Sequence, residues 1–145
     1  MQIVGDKKFC RKTRKALQLL KDRDIESFEI VETFVREIKQ HEYSGMDVFE
    51  SIPTFLVGTA TSNSNIFWYA SCILHDATHS LLYFNAEMEG KNGREIYQGH
   101  DAEMYCLTKQ IETLKKIGAP VDIIEYAESL YDNNWYDASL SARRW

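Results

Sequence analysis

Apolar residues recur along most of this chain at three- and four-residue intervals, the spacing that gathers them on one face of an α-helix. Phe9, Cys10, Ala16, Leu17 and Leu20 predict a first helix, with Lys7, Lys8, Arg11, Lys12, Arg14 and Lys15 on its other face and Asp6 placed to cap it. "DRDIES" interrupts the pattern, and Ile25, Phe28, Val31, Phe34, Val35 and Ile38 mark a second amphipathic helix. "HEYSGMD" reads as a loop. From Pro53, "PTFLVG" reads as a strand leading into a polar loop, and "MQIV" at the start of the chain is short and β-prone. Ser64 or Asn65 can cap a long central helix, roughly 66–88, that is apolar on most sides. A fourth helix is predicted over about 101–117, with Met104, Leu107, Ile111 and Leu114 on one face. Gly118 suits the position after its last turn, and Pro120 the start of a fifth helix over 121–131. The tail "DNNWYDASLSARRW" has no pattern that places it. These elements predict an α+β fold, predominantly helical, with one or two short strands. No repeat or linker divides it, so residues 1–145 are expected to form a single domain.

Composition narrows the class. Apolar residues make up 44% of the 145, enough for a sizeable core. The net charge of −5 gives the chain as a whole no electrostatic reason to seek nucleic acid or an acidic membrane. The basic run on the first helix then reads as a solvated face. Three cysteines, an odd number with no CxxC pair, indicate neither a disulfide framework nor a cysteine-based zinc site. A reducing compartment is the simplest expectation. The first residues contain no apolar signal segment, and the apolar stretch 66–84 carries two histidines and an aspartate, which suits a buried helix better than a membrane span. A cytoplasmic location is expected.

The unusual chemistry lies in "ILHDATHSLLY". His75 and His79 stand one helical turn apart, about 6 Å along the axis, and can aim two imidazoles at one point, as a zinc ion requires of its first two ligands. Asp76 borders the same point, where a carboxylate can take a proton from water on the metal. Burying these three groups in an apolar helix is costly unless they are mutually paired or metal-bound. A third ligand is sought in "GHDAEMYC": His100, Asp101 or Glu103, with Cys106 a small residue that lets two helices approach closely. The bland alternative is a buried polar network, with Asp76 bonded to one histidine and Thr78 and Ser80 satisfied locally. Cys72 and Cys106 read as small hydrophobes, Cys72 being also within a turn of His75. Trp68, Tyr69, Tyr83 and Tyr105 read as core or as the lining of a substrate pocket.

"ILHDATHS" followed by "DAEMYCLTKQIETLKKIGAP" resembles the gluzincin-type zincin metallopeptidases over roughly residues 66–120. In that family one helix carries HExxH and a later helix carries a glutamate ligand. The resemblance implies a zincin-like domain whose active-site helix packs on the second ligand-bearing helix. It implies a single zinc on His75, His79 and Glu103, with Asp76 at the general-base position. It also implies an extended substrate pairing with the edge of a sheet, for which Thr54–Gly58 is the candidate strand, a short structural strand being the equal alternative. The departure is Asp76, where the family has glutamate: one methylene fewer withdraws the carboxylate by about 1.5 Å, and a misplacement near 1 Å can cost on the order of a hundredfold in rate. The activity implied is hydrolysis of a peptide-like bond in a peptide or protein substrate, with a non-catalytic zincin-like binding or partner protein as the alternative. "ILHDATH" also resembles the core of the HD-domain phosphohydrolases, where adjacent His and Asp ligate the metal; His41 and Asp101 would then complete the set.

Overall fold

The structure, a computed structural model, describes residues 1–49 and 51–132; the tail beyond Asp132 lies outside them. Strand β1 (Gln2–Val4) leads through Gly5 into helix α1 (Lys7–Arg23), and α2 (Ile25–Phe34) follows after one residue. Three further strands, β2 (Glu37–Gln40), β3 (Gly45–Asp47) and β4 (Thr54–Val57), precede the short helix α3 (Thr59–Ser62) and the long α4 (Ile66–Met88). A single turn, α5 (Gly93–Ile96), joins α4 to α6 (His100–Lys116). Helix α7 (Val121–Ser129) and a 3-10 turn at Leu130–Asp132 end the described chain. The fold is α+β and mostly helical, as the pattern predicts. No helix among the described residues is long and apolar enough to cross a membrane.

Local chemistry sets the helix boundaries. The Asp6 carboxylate accepts the Phe9 amide at 2.8 Å and starts α1. Phe9, Thr13, Ala16, Leu17 and Leu20 form its buried stripe, and the predicted cations occupy the rest. Lys12 spans to α3, donating to the Ser62 carbonyl at 3.2 Å and to Asn63 Oδ1 at 2.9 Å. Of the two candidate caps for α4, Asn65 serves: its side chain accepts from the Phe67 amide at 2.8 Å. Gly118, at φ +78°, follows the last turn of α6 in the left-handed conformation that glycine adopts without cost.

The sheet departs from the sequence pattern. It has four strands in the order β1-β2-β4-β3, with β1, β2 and β4 parallel and β3 antiparallel. The predicted second helix ends at Phe34, and Ile38 lies instead in β2, paired between Ile3 and Phe55. Val35 is already extended at φ −122°, ψ 125°. Helical spacing persists from Val35 to Ile38, but both side chains fill the core from extended backbone, so non-local pairing overrides the local pattern. Part of the loop "HEYSGMD" is β3. Strand β4 is interior, with β2 on one side and β3 on the other, so the expectation of Thr54–Gly58 as an edge strand is corrected; β3 is the edge there.

Helix α4 runs between two apolar clusters. Tyr69, Ala70, Ile73, Leu74 and Ala77 pack with residues of α1, α2 and the sheet. Trp68 and Cys72 pack with Leu107, Ile111 and Leu114 of α6 and with Ala127 of α7. Residues 68–80 of α4 are all buried, the polar ones included.

Candidate metal centre

The face of α4 that carries Trp68 and Cys72 continues, at the same helical spacing, to His75 and His79. On α6 the facing positions are Glu103, Cys106, Gln110 and Leu114. The helices run antiparallel, so the apolar end of one stripe meets Ile111 and Leu114, and the polar end meets Gln110, Cys106 and Glu103. This places His75, Asp76, His79, Glu103 and Cys106 together in the interior, none of them more than 7% exposed.

Three donor atoms converge there. His75 Nε2 lies 3.2 Å from His79 Nε2 and 3.1 Å from Glu103 Oε2, and His79 Nε2 lies 3.3 Å from the same oxygen. Donors bonded to a tetrahedral zinc ion at about 2.0–2.1 Å stand roughly 3.3–3.4 Å apart, so the triangle has the size of one face of such a site. The fourth candidate is a thiol. The ligand atoms of His75, His79 and Cys106 all lie within 4.8 Å of one another, and this buried group could hold a metal ion.

The far side of each imidazole is fixed. The Gln110 amide nitrogen donates to Ser71 Oγ at 3.0 Å and faces Cys72 Sγ at 3.6 Å, which leaves its oxygen, 2.9 Å from His75 Nδ1, as an acceptor. His79 Nδ1 faces the Tyr97 carbonyl, which can only accept. Both Nδ1 atoms therefore carry the proton, and each neutral ring turns a lone pair inward. Two lone pairs and a carboxylate at this range require a positive charge among them, supplied by a proton or a metal.

The electrostatics agree. Burial alone would lower the His79 pKa, but Cys106 and Glu103 beside it outweigh burial and hold it well above the ordinary histidine value. Burial alone would raise Glu103, yet the two imidazoles hold its carboxyl well below the usual range. Burial pushes the Cys106 thiol up, partly offset by His79. Burial likewise pushes the Cys72 thiol up, and the charge of the nearby Asp76 carboxylate adds to the rise of both Cys72 and Cys106.

Of the predicted residues, His75, His79 and Glu103 meet, and Asp76 borders them. His100 and Asp101 sit exposed at the start of α6. His41 lies on the loop after β2, its ring edge-on to Tyr43 and its Nδ1 accepting that residue's amide at 3.4 Å. Thr78 is satisfied locally by the Leu74 carbonyl at 2.8 Å, whereas Ser80 reaches across to the Phe34 carbonyl at 2.7 Å. Tyr69 is core, bonded to Thr13 at 2.7 Å, and Trp68 packs in the second cluster. Tyr105 is exposed. Tyr83 joins Phe49 and Tyr97 in a triangle of edge-on rings 5.5–5.7 Å apart, which ties α5 to α4 beside His79. Gln110, Tyr97 and the place of Cys106 beside the histidines were not legible as site features. The spacing Glu103, Cys106, Gln110 was the available signal, and it acquires meaning only once that face is known to meet the histidines.

Comparison of the chain with protein families, curated proteins and solved structures finds no match.

Proposed function

We propose that the chain is a zinc-dependent hydrolase acting on a peptide-like bond, with His75, His79 and Glu103 as metal ligands and Asp76 as general base. The observation that carries this reading is the triangle of Nε2, Nε2 and Oε2 atoms with edges of 3.1–3.3 Å, backed by acceptors that fix both histidine tautomers. A zinc ion held there would supply an acidified water and polarise the scissile carbonyl. The protein's own part is to orient the rings through Gln110 and Tyr97, to exclude bulk water, and to present the Asp76 carboxylate as proton acceptor.

Metal analysis of protein purified without chelator tests the reading. About one zinc per chain is expected, lost in His75→Ala and His79→Ala, strongly weakened in Glu103→Ala and retained in His41→Ala. A folded protein that holds no metal at neutral pH sinks it. Retention in Glu103→Ala with loss in His41→Ala would point to the HD-type arrangement instead. Asp76→Asn should keep the metal and abolish cleavage of peptide substrates.

A non-catalytic, metal-holding module is the second reading, and one observation favours it. All the donors are buried, and Cys106 offers a fourth ligand of the kind that closes structural sites. Metal bound without cleavage of any peptide tested, by the native chain and by Cys106→Ala alike, would select it.

A further inference from the structure

The centre has one donor more than a water-carrying site uses. Cys106 lies one turn along α6 from Glu103, fully buried, with its sulfur in the group formed with the two imidazoles. Glu103 meets both Nε2 atoms, and the same helix face brings the Cys106 sulfur to within 4.8 Å of the two histidines. Donor chemistry argues for using both: thiolate is a preferred zinc donor, and a divalent ion beside the sulfur favours its deprotonated form.

We propose that Cys106 ligates the metal together with His75, His79 and Glu103, so that the resting centre is closed and its thiolate holds the position that water needs. The inference rests on the zinc-centre reading. On loading, the Cys106 S–H bond breaks, the proton leaves to solvent and the sulfur–metal bond forms, with no change of oxidation state. Opening is the reverse: the sulfur–metal bond breaks and the thiol regains a proton. Cys106 is in this sense an inhibitory ligand carried by the chain itself, and water gains its place only when the thiolate lets go.

Cobalt(II) replaces zinc and reports its ligands. The full chain, stripped of metal and loaded with one equivalent of cobalt, should show a thiolate-to-metal charge-transfer band in the near ultraviolet. Cys72→Ala should keep that band. Cys106→Ala should still bind cobalt but lose the band entirely, and in the zinc form any peptide hydrolysis should rise. X-ray absorption of the native zinc form gives a check that needs no variant: one sulfur at about 2.3 Å. Cobalt bound by the native chain with no charge-transfer band, or zinc with no sulfur neighbour, overturns the role of Cys106 and leaves the three-ligand reading intact. A native chain that binds neither metal overturns both. Loss of the band in Cys72→Ala with its retention in Cys106→Ala transfers the role to Cys72 and overturns the proposal.

Discussion

The Gln110 amide faces two ways. Its nitrogen is spent on Ser71, so its oxygen has to take the Nδ1 proton of His75 and thereby turns Nε2 toward Glu103. Gln110→Leu removes that acceptor, and metal affinity should fall about 10–100-fold, the usual cost of losing such a partner. Competition against a chromophoric chelator measures this, and Gln110→Glu, which restores an acceptor, should recover most of it. Asp76 invites a different change. If reach limits its action as base, Asp76→Glu extends the carboxylate by about 1.5 Å and should raise kcat for peptide hydrolysis on the order of tenfold or more. An unchanged or lower kcat in a variant that keeps its metal means the present reach is not limiting.

Between elements, Asp24 does for the helix junction what Gln110 does for His75. It ends α1 and caps α2. Its Oδ2 accepts from Ser27 Oγ at 2.6 Å and from Thr113 Oγ1 of α6 at 2.9 Å, while Lys116 Nζ stands 3.5 Å from Oδ1. Burial would raise this carboxyl, but the Ser27 and Thr113 hydroxyls override it and hold the pKa below its ordinary 3.8. A folded value below the unfolded one means the stabilisation is fully present above about pH 4 and is lost as pH falls through the folded value. Asp24→Asn should therefore cost about 1–3 kcal/mol at neutral pH, and the gap to the native chain should close in acid. Urea unfolding at neutral pH and at pH 3 reads both quantities.

The same scale explains what the sequence made legible. Helix α4 was readable to its ends, because an Asn cap, 23 residues of largely apolar sequence and a polar exit all agree. Strand β2 was not: Val35 and Ile38 sit three apart, as on a helix, and only pairing with β1 and β4, at opposite ends of the sheet-forming region, makes them strand. Strand β3 has three residues and only one large apolar side chain, Met46. At the site, His75, His79 and Glu103 could be named from spacing and family pattern. Cys106 and Gln110 look like ordinary helix residues until the register of α6 on α4 places them opposite the histidines.

For the molecule as a whole, the centre extends the α4–α6 interface of the second apolar cluster, and α4 is shared by both clusters. A ligand that binds only the folded chain stabilises it by about 2.7 kcal/mol at a hundredfold excess over Kd. For a chain of this size that corresponds to a rise in Tm of roughly 5–10 °C. Differential scanning calorimetry with and without zinc should show it, and a chelator should reverse it.

The sharing of α4 also bears on cooperativity. Helices α6 and α7 pack on one side of α4, while α1, α2 and the sheet pack on the other. Asp24 ties α6 back to the first group near its C-terminal end, and towards its N-terminal end the α4–α6 contact changes from apolar to polar at His75, His79 and Glu103. A metal joining His75 and His79 to Glu103 would cross-link α4 and α6 through that polar stretch. In the metal-free chain, amides of α6 and α7 should exchange with deuterium through an opening that leaves the α1–α2–sheet side protected. Once loaded, the two sides should open only together, with one common free energy. The metal would then decide how many independently unfolding parts the chain has, as well as how stable they are.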